Sequence, residues 1–378
     1  MMRVLLYNGY GKGSLLADFS DRWDSLSWST ALHGGFRDCR LTVPMRFLTA
    51  TQGLRFESNA GYHFRHLEIT EGSAQAPHLR WEGRVMGVAA HFEGMLEIRA
   101  LGYWASCRDQ RVTTLTYNDT VDDIIKDMLT NFCPDVNIDQ AGIADLQAEG
   151  AINITWNADQ YTQDHIVDSL APLGDSSNNV YYFAIWDARK PHYAARDMSA
   201  VDWEARLEDL ASAGGIDQDA SWMRNEADAH DGNTANRTAS GAETAPAHWP
   251  TRDALVQLPS GTSSAAMLLA RDTFLDERHV VQQQTQFTIA GHIVARSKGA
   301  RDRLGQRQAM RAGDVVKVVD IIPAGVASPA LDQIRTFYIV ATEYSAHTDT
   351  VQITVDRPAS RLEVLLSRIE QLEPTRSA

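Results

Sequence analysis

Large apolar residues recur at every second position in Leu26-Ser27-Trp28-Ser29-Thr30-Ala31-Leu32, and Cys39, Leu41 and Val43 alternate with polar neighbours across residues 37–43. A period of two sends successive side chains to opposite faces of an extended chain, so each stretch predicts a half-buried strand. The alternation returns in Leu96-Glu97-Ile98-Arg99-Ala100 after a strand pattern over residues 84–92, and Glu93-Gly94 supplies turn chemistry for a hairpin between them. Glycines punctuate this region at Gly9, Gly11, Gly13 and Gly34-Gly35. Short strands joined by such turns predict a small β-barrel or sandwich over residues 1–110.

After Arg111 the period changes. Val121, Ile124, Ile125, Met128, Leu129 and Phe132 follow helical spacing, Asp122 and Asp123 suit the positive end of a helix dipole, and Cys133-Pro134 ends the element. A weaker helical pattern after Trp156-Asn157 carries Tyr161, Ile166, Val167 and Leu170 and stops at Pro172 and Gly174, and a β run follows over residues 180–186. Residues 111–213 therefore read as small α+β units on a β framework. Residues 214–264 are rich in Ala, Asp, Gly, Ser, Thr and Asn, with Trp222, Met223, Trp249, Leu255, Val256 and Leu258 as isolated anchors. This stretch reads as an excursion that buries little. Residues 265–357 return to β, with a strand over 313–320 and a hairpin of 336–340 with 351–355 through Asp349, echoing the first segment. Pro358 opens a final helix over 358–378 whose Leu362, Leu365, Leu366, Ile369 and Leu372 share one face.

The 378 residues are enough for two or three domains. No apolar run is long enough to span a membrane, and the start of the chain turns polar before a secretory core forms, so the expectation is a soluble protein without a span. Three scattered cysteines, Cys39, Cys107 and Cys133, fit neither a disulfide framework nor a metal pair and suit synthesis in a reducing cytoplasm. The net charge of -14 is unevenly placed: residues 1–110 hold 12 Lys/Arg against 11 Asp/Glu, residues 111–245 hold 8 against 24, and residues 246–378 hold 15 against 14. Two near-neutral ends flank an acidic middle, and no basic stripe points to nucleic-acid binding.

Four groups invite a chemical reading. His63 and His66 would share a metal-binding face on a helix, but the local pattern is strand-like, which sends them to opposite faces as ordinary surface histidines. Asp228, His230 and Asp231 lack the spacing of a calcium loop and read as a solvated cluster. Residues 9–14 hold Gly, Lys and Ser without Walker spacing, and a glycine turn accounts for them. Nucleophile elbows, HExxH and framed carboxylate pairs are missing from the sequence, so the expectation is no enzyme, no catalytic residue, no cofactor and no metal. The stripe of Leu362, Leu365, Ile369 and Leu372 fits docking on its own domain or contact between symmetry mates.

The stretch from Leu26 through Gly34-Gly35-Phe36 to Pro44 resembles the first-domain signature of phage tail-hub and baseplate-hub proteins. Arg99-Ala100-Leu101-Gly102-Tyr103-Trp104, with Arg108-Asp109-Gln110-Arg111-Val112 and the helix over 120–132, resembles that family's domain exit. Residues 180–186, Asn225 and Arg311-Ala312-Gly313-Asp314-Val315-Val316 follow the same order of elements. The resemblance implies a mainly β fold of two tube-type β-barrel domains flanking small α+β domains. It implies a homotrimer with pseudo-sixfold symmetry at the virion tail tip, a ring that encloses a channel for DNA and tape-measure passage. The implied partners are a distal-tail or tail-tube protein above, the tape-measure protein, and receptor-binding or fibre proteins, with DNA only in transit. The chain stops soon after its last helix, so host recognition and wall digestion are expected of other subunits. Two rivals remain: a hexameric distal-tail or other minor tail protein, and a tail-associated cell-wall hydrolase, for which His230 and Asp231 would be the first residues to replace.

Overall fold

The computed structural model describes residues 2–9, 12–49, 61–73, 76–91, 93–113, 115–136, 139–143, 153–158, 161–166, 170–171, 181–213, 217–219, 223–232, 237–242, 250–258, 261–278, 282–296, 307–319 and 336–356. The fold is mainly β. Seven strands come first: β1 (Met2–Tyr7), β2 (Leu15–Asp18), β3 (Ser25–Ala31), β4 (Gly34–Pro44), β5 (His66–Ser73), β6 (Ala76–His91) and β7 (Met95–Leu101). A short pair, β8 (Leu115–Asp119) and β9 (Ile154–Ala158), brackets helix α1 (Val121–Phe132), and α2 (Thr162–His165) follows. Next come β10 (Tyr181–Trp186), β11 (Lys190–Ala195), β12 (Trp203–Arg206), β13 (Leu210–Ala213) and β14 (Asp217–Asp219). The small strands β15 (Glu226–His230), β16 (Gly241–Ala242) and β17 (Asp253–Gln257) lead to helix α3 (Ser264–Arg278). The last five strands are β18 (Gln282–Ile289), β19 (Ile293–Ala295), β20 (Val315–Val319), β21 (Thr336–Ser345) and β22 (Thr350–Asp356).

Period-two patterning decides the strands. In β3, Leu26, Trp28 and Thr30 point inward while their neighbours are half-exposed. Helix α1 buries Val121, Ile124, Ile125, Met128 and Leu129, the face its spacing predicts. Lys126 Nζ ties Asp122 (2.8 Å) and Asp123 (3.0 Å) back along the first turn. The later helical pattern gives one short helix, α2, with Ile166 and Leu170 buried beyond it.

The large sheet contains the same unit twice. Strands β3-β4-β7-β6-β5 form consecutive antiparallel pairs, and so do β13-β18-β22-β21-β20, in the same chain order. Both β6–β7 and β21–β22 carry a register shift, between Val85 and Gly87 and between Ile339 and Ala341, each at the same distance from its hairpin end. Superposing these ladders matches Leu96, Ile98 and Ala100 with Val351, Ile353 and Val355, all buried, and Leu41 and Val43 with Phe287 and Ile289. The copies, or modules, differ at the far strand: β1 runs antiparallel to β5, whereas β12 runs parallel to β20. One continuous core joins the two modules, running from Val4 and Leu6 through Trp81 and Phe337 to Val355.

Two sequence expectations are corrected. Part of the low-hydrophobicity stretch 214–264 forms a three-stranded sheet, β16-β15-β17, and α3 packs on β15. Alanines make this possible: Ala227, with Ala254 beside it, is small enough for Phe274 and Leu275 to close over it. His66, expected at the surface, is 2% exposed. The helix expected over 358–378, with Leu362, Leu365, Ile369 and Leu372, lies outside the described residues.

Candidate assembly surface

The two modules meet strand to strand. β3 of the first pairs antiparallel with β21 of the second, from Ala31 opposite Ala341 to Ser27 opposite Ser345. The amide of Leu32 donates to the Val340 carbonyl (2.8 Å) and that of Ala346 to the Leu26 carbonyl (2.9 Å), so both ends of the seam are hydrogen-bonded. Inside it the hydroxyls of Thr30 and Thr342 bond at 2.7 Å, Thr30 Oγ1 also accepts the Ala312 amide (2.8 Å), and Trp28 packs on Tyr344 with ring centroids 4.5 Å apart. All four side chains are buried, which makes the seam part of the core rather than a surface contact. The result is an open eight-strand ladder, β14/β13-β18-β22-β21-β3-β4-β7-β6, with four ladder positions from each module.

The middle of the chain is attached through Gly34-Gly35. Both have positive φ (104° and 85°), and β10 runs parallel to them at Ala184 and Ile185. A Cβ on Gly35 would overlap the Ile185 carbonyl oxygen and lie 2.7 Å from the Ile185 amide nitrogen, so only glycine lets the backbones approach this closely. Arg37 stacks over Trp104 at 3.9 Å beside this contact.

Between the first module and the middle region lies a buried polar layer. On β5, Leu67 and Ile69 face the core while His66, Glu68 and Thr70 face the other way, and Arg80, Glu82 and Arg84 on β6 join them, all buried. His66 Nδ1 bonds the Tyr103 hydroxyl (2.7 Å), Lys12 Nζ reaches Glu68 (2.9 Å), and Glu82 accepts the Arg189 amide (2.6 Å) from a turn in which Ala188 and Arg189 both have positive φ. Burial pushes Glu68 up, but His66 and Lys12 outweigh it and hold the carboxyl below its ordinary value. Glu82 goes the other way: burial, with Asp187 and Glu68 nearby, raises it from 4.5 to about 7.

That shift has a sign that can be checked. A carboxyl whose folded pKa is raised stabilises the fold fully below the unfolded value, and the contribution is lost as pH rises through the folded value. Glu82→Gln keeps an acceptor for the Arg189 amide and removes the charge. Relative to this variant, the wild type is expected to lose about 3 kcal/mol between pH 4.5 and about 7 and to change no further above that. Urea denaturation of both proteins across this range measures it, and a constant difference would show that Glu82 does not ionise in a buried site.

The chemically suggestive residues do not converge. His63 sits in the turn before β5 and is exposed. On β15 and just beyond it, Asp228 accepts Arg237 Nε (2.6 Å), His230 Nδ1 accepts the Gly232 amide (3.0 Å), and Asp231, buried rather than solvated, accepts the Gly261 amide (3.3 Å). Each holds its own loop. At the ends of the glycine stretch the Asn8 amide donates to the Ser14 carbonyl (2.9 Å), with Gly9 at φ 81°. Cys107 and Cys133, distant in sequence, are buried neighbours in the middle region, and their thiol contact together with burial raises the Cys107 pKa. Among the described residues no group of three or more His, Cys, Asp and Glu could hold a metal ion, and no helix is long and apolar enough to cross a membrane. The sequence reading found the last strands echoing the first segment, and the seam that joins the two modules escaped it.

No family model and no curated protein matches the chain. Solved structures do. The tail protein from Neisseria meningitidis MC58 superposes with a TM-score of 0.59 at 12% identity, over 94% of this chain and 96% of that one. The 43 kDa tail protein of prophage MuSo2 from Shewanella oneidensis gives 0.58 at 13% identity, over 94% and 98%. Prophage tail protein gp18 from Listeria monocytogenes EGD-e gives 0.56 at 13% identity, over 98% and 99%. The fold is that of phage tail proteins along nearly the whole length of each.

Proposed function

We propose that the chain is a non-enzymatic structural hub of a phage-type tail tip or baseplate, with three copies forming a ring that continues the tail tube. The observation that carries this is the duplicated module. Two equivalent units joined edge to edge let a trimer present six quasi-equivalent surfaces, which matches a sixfold tube without six separate chains. The enclosed channel passes DNA and the tape-measure protein. A distal-tail or tail-tube protein sits above, and receptor-binding or fibre proteins attach around it. The acidic residues of the middle region face outward, away from the channel. The likeness to tail proteins over nearly the whole chain supports this reading. A map of the assembled tail that resolves three chains and six modules in one ring supports it, and six chains, as a hexameric distal-tail protein would give, contradict it.

A further inference from the structure

We propose that the cavity within the buried polar layer binds a primary ammonium group on an aliphatic arm, the chemistry of a lysine side chain or of a free alkylamine. The inference does not depend on the ring, and it concerns a site that the hub reading leaves unused. Glu68 and Glu82 are direct cross-strand partners on β5 and β6. That register puts their Cβ atoms about 5 Å apart, on the same face of the pair. Both are buried, and both line one cavity of about 340 Å³. Carboxyls opposed in this way repel each other, and burial denies them the water that would screen the repulsion.

The described residues place a bonded cation on one of the two only. Lys12 Nζ lies 2.9 Å from Glu68. Arg80 and Arg84, which flank Glu82 on β6, are engaged by Glu71 (2.9 Å) and Asp109 (2.8 Å). On the turn between β10 and β11, Arg189 gives Glu82 its backbone amide while its guanidinium donates to the Asp135 carbonyl (3.0 Å), and Asp187 adds a like charge nearby. His66 spends Nδ1 on the Tyr103 hydroxyl, and its Nε2, 3.6 Å from Glu68, has no hydrogen-bond partner among the described residues. Thr70, 2% exposed and also on the cavity wall, has a hydroxyl that is equally unpartnered among them. Buried polar groups are rarely left so, and here they line a cavity with room for a ligand.

An ammonium carries three N–H donors and no acceptor. Glu82, the Thr70 hydroxyl and the spare lone pairs of Glu68 offer it three acceptors, and Pro77 and Leu79 give the same cavity an apolar wall for a methylene arm. A metal ion fits less well, since among the described residues no three His, Cys, Asp or Glu converge as its ligands. Lys12, more than half exposed, already holds its own ammonium against Glu68, which shows that this face accepts such a group.

Calorimetric titration of the full chain with n-butylammonium tests this. At and above a pH of about 7 the wild type should bind it with a Kd of about 1 mM. Below that, affinity should fall about tenfold per pH unit, because Glu82 must give up its proton for the cation to be held. Thr70→Val keeps the side-chain shape, removes one acceptor and should weaken binding about tenfold. Glu82→Gln should weaken it at least as much and abolish the pH dependence in this range. Tetramethylammonium, which has the charge but no N–H, should not bind. The peptide N-acetyl-Gly-Lys-Gly-amide separates the two sources: binding as tight as n-butylammonium assigns the cavity to a protein side chain, and binding of n-butylammonium alone assigns it to a free amine. Either result supports the ammonium site. No binding of n-butylammonium by the wild type, equal binding of tetramethylammonium, or undiminished binding by both variants would overturn it and leave the ring standing.

Discussion

Gly35→Ala is expected to lower stability by about 4 kcal/mol, a loss far larger than an alanine usually brings. Two effects add. A side chain at φ 85° carries left-handed strain of about 1–2 kcal/mol. The new Cβ also overlaps backbone atoms of Ile185, and neither strand can retreat without opening the β4–β10 contact. Because β10 also carries Phe183 and Ile185 into the core of the middle region, the damage spreads beyond the first module. The denaturant midpoint should fall sharply. Gly94→Ala is the control, since Gly94 has a similar φ of 76° but nothing within 4 Å of an added Cβ, so only the strain is felt. Equal losses in the two variants would mean that the close approach of β10 is unimportant.

Arg84→Met should cost about 4 kcal/mol at neutral pH. The Arg84 side chain is 1% exposed and grips Asp109 with both terminal nitrogens, with Asp135 at 3.5 Å from Nη1. Asp109 is 45% exposed and can turn to water, but Asp135 is only 14% exposed and would be left charged without this cation beside it. Burial already raises the Asp135 pKa against the pull of Arg84, so removing the arginine raises it further. The cost should therefore shrink as pH falls and Asp135 becomes neutral. Equilibrium denaturation at neutral and mildly acidic pH tests this. A pH-independent cost would assign the loss to packing against Phe64, over whose ring the guanidinium sits at 5.6 Å.

Where local pattern and tertiary environment agree, the sequence was readable. The apolar stripe of α1 and the alternation in β3, β7 and β22 each reflect one buried face and one wet face, and each formed where the spacing placed it. His66 was misjudged because alternation tells only that it points away from Leu67. It cannot tell that the far side of β5 is itself covered by Tyr103 and the turn at Ala188. A strand buried on both faces needs polar partners on one of them, and those partners come from distant segments. The sheet at 226–257 was missed for a related reason: its core is built from alanines under a helix, and hydrophobicity alone undercounts such packing. The duplication was legible as an echo, but its register is fixed by matching bulges and hairpins, which are pairing properties that no single strand displays.

On the ring reading, one chain supplies two of the six quasi-equivalent modules at the tail tip. A reconstruction of the assembled tail tip tests this most directly, with the copies counted and the strands traced around the channel. The expected result is three chains, six modules alternating first and second around the axis, and the carboxylates of residues 111–245 on the outside. Six chains in the ring, or those carboxylates lining the channel, would contradict it.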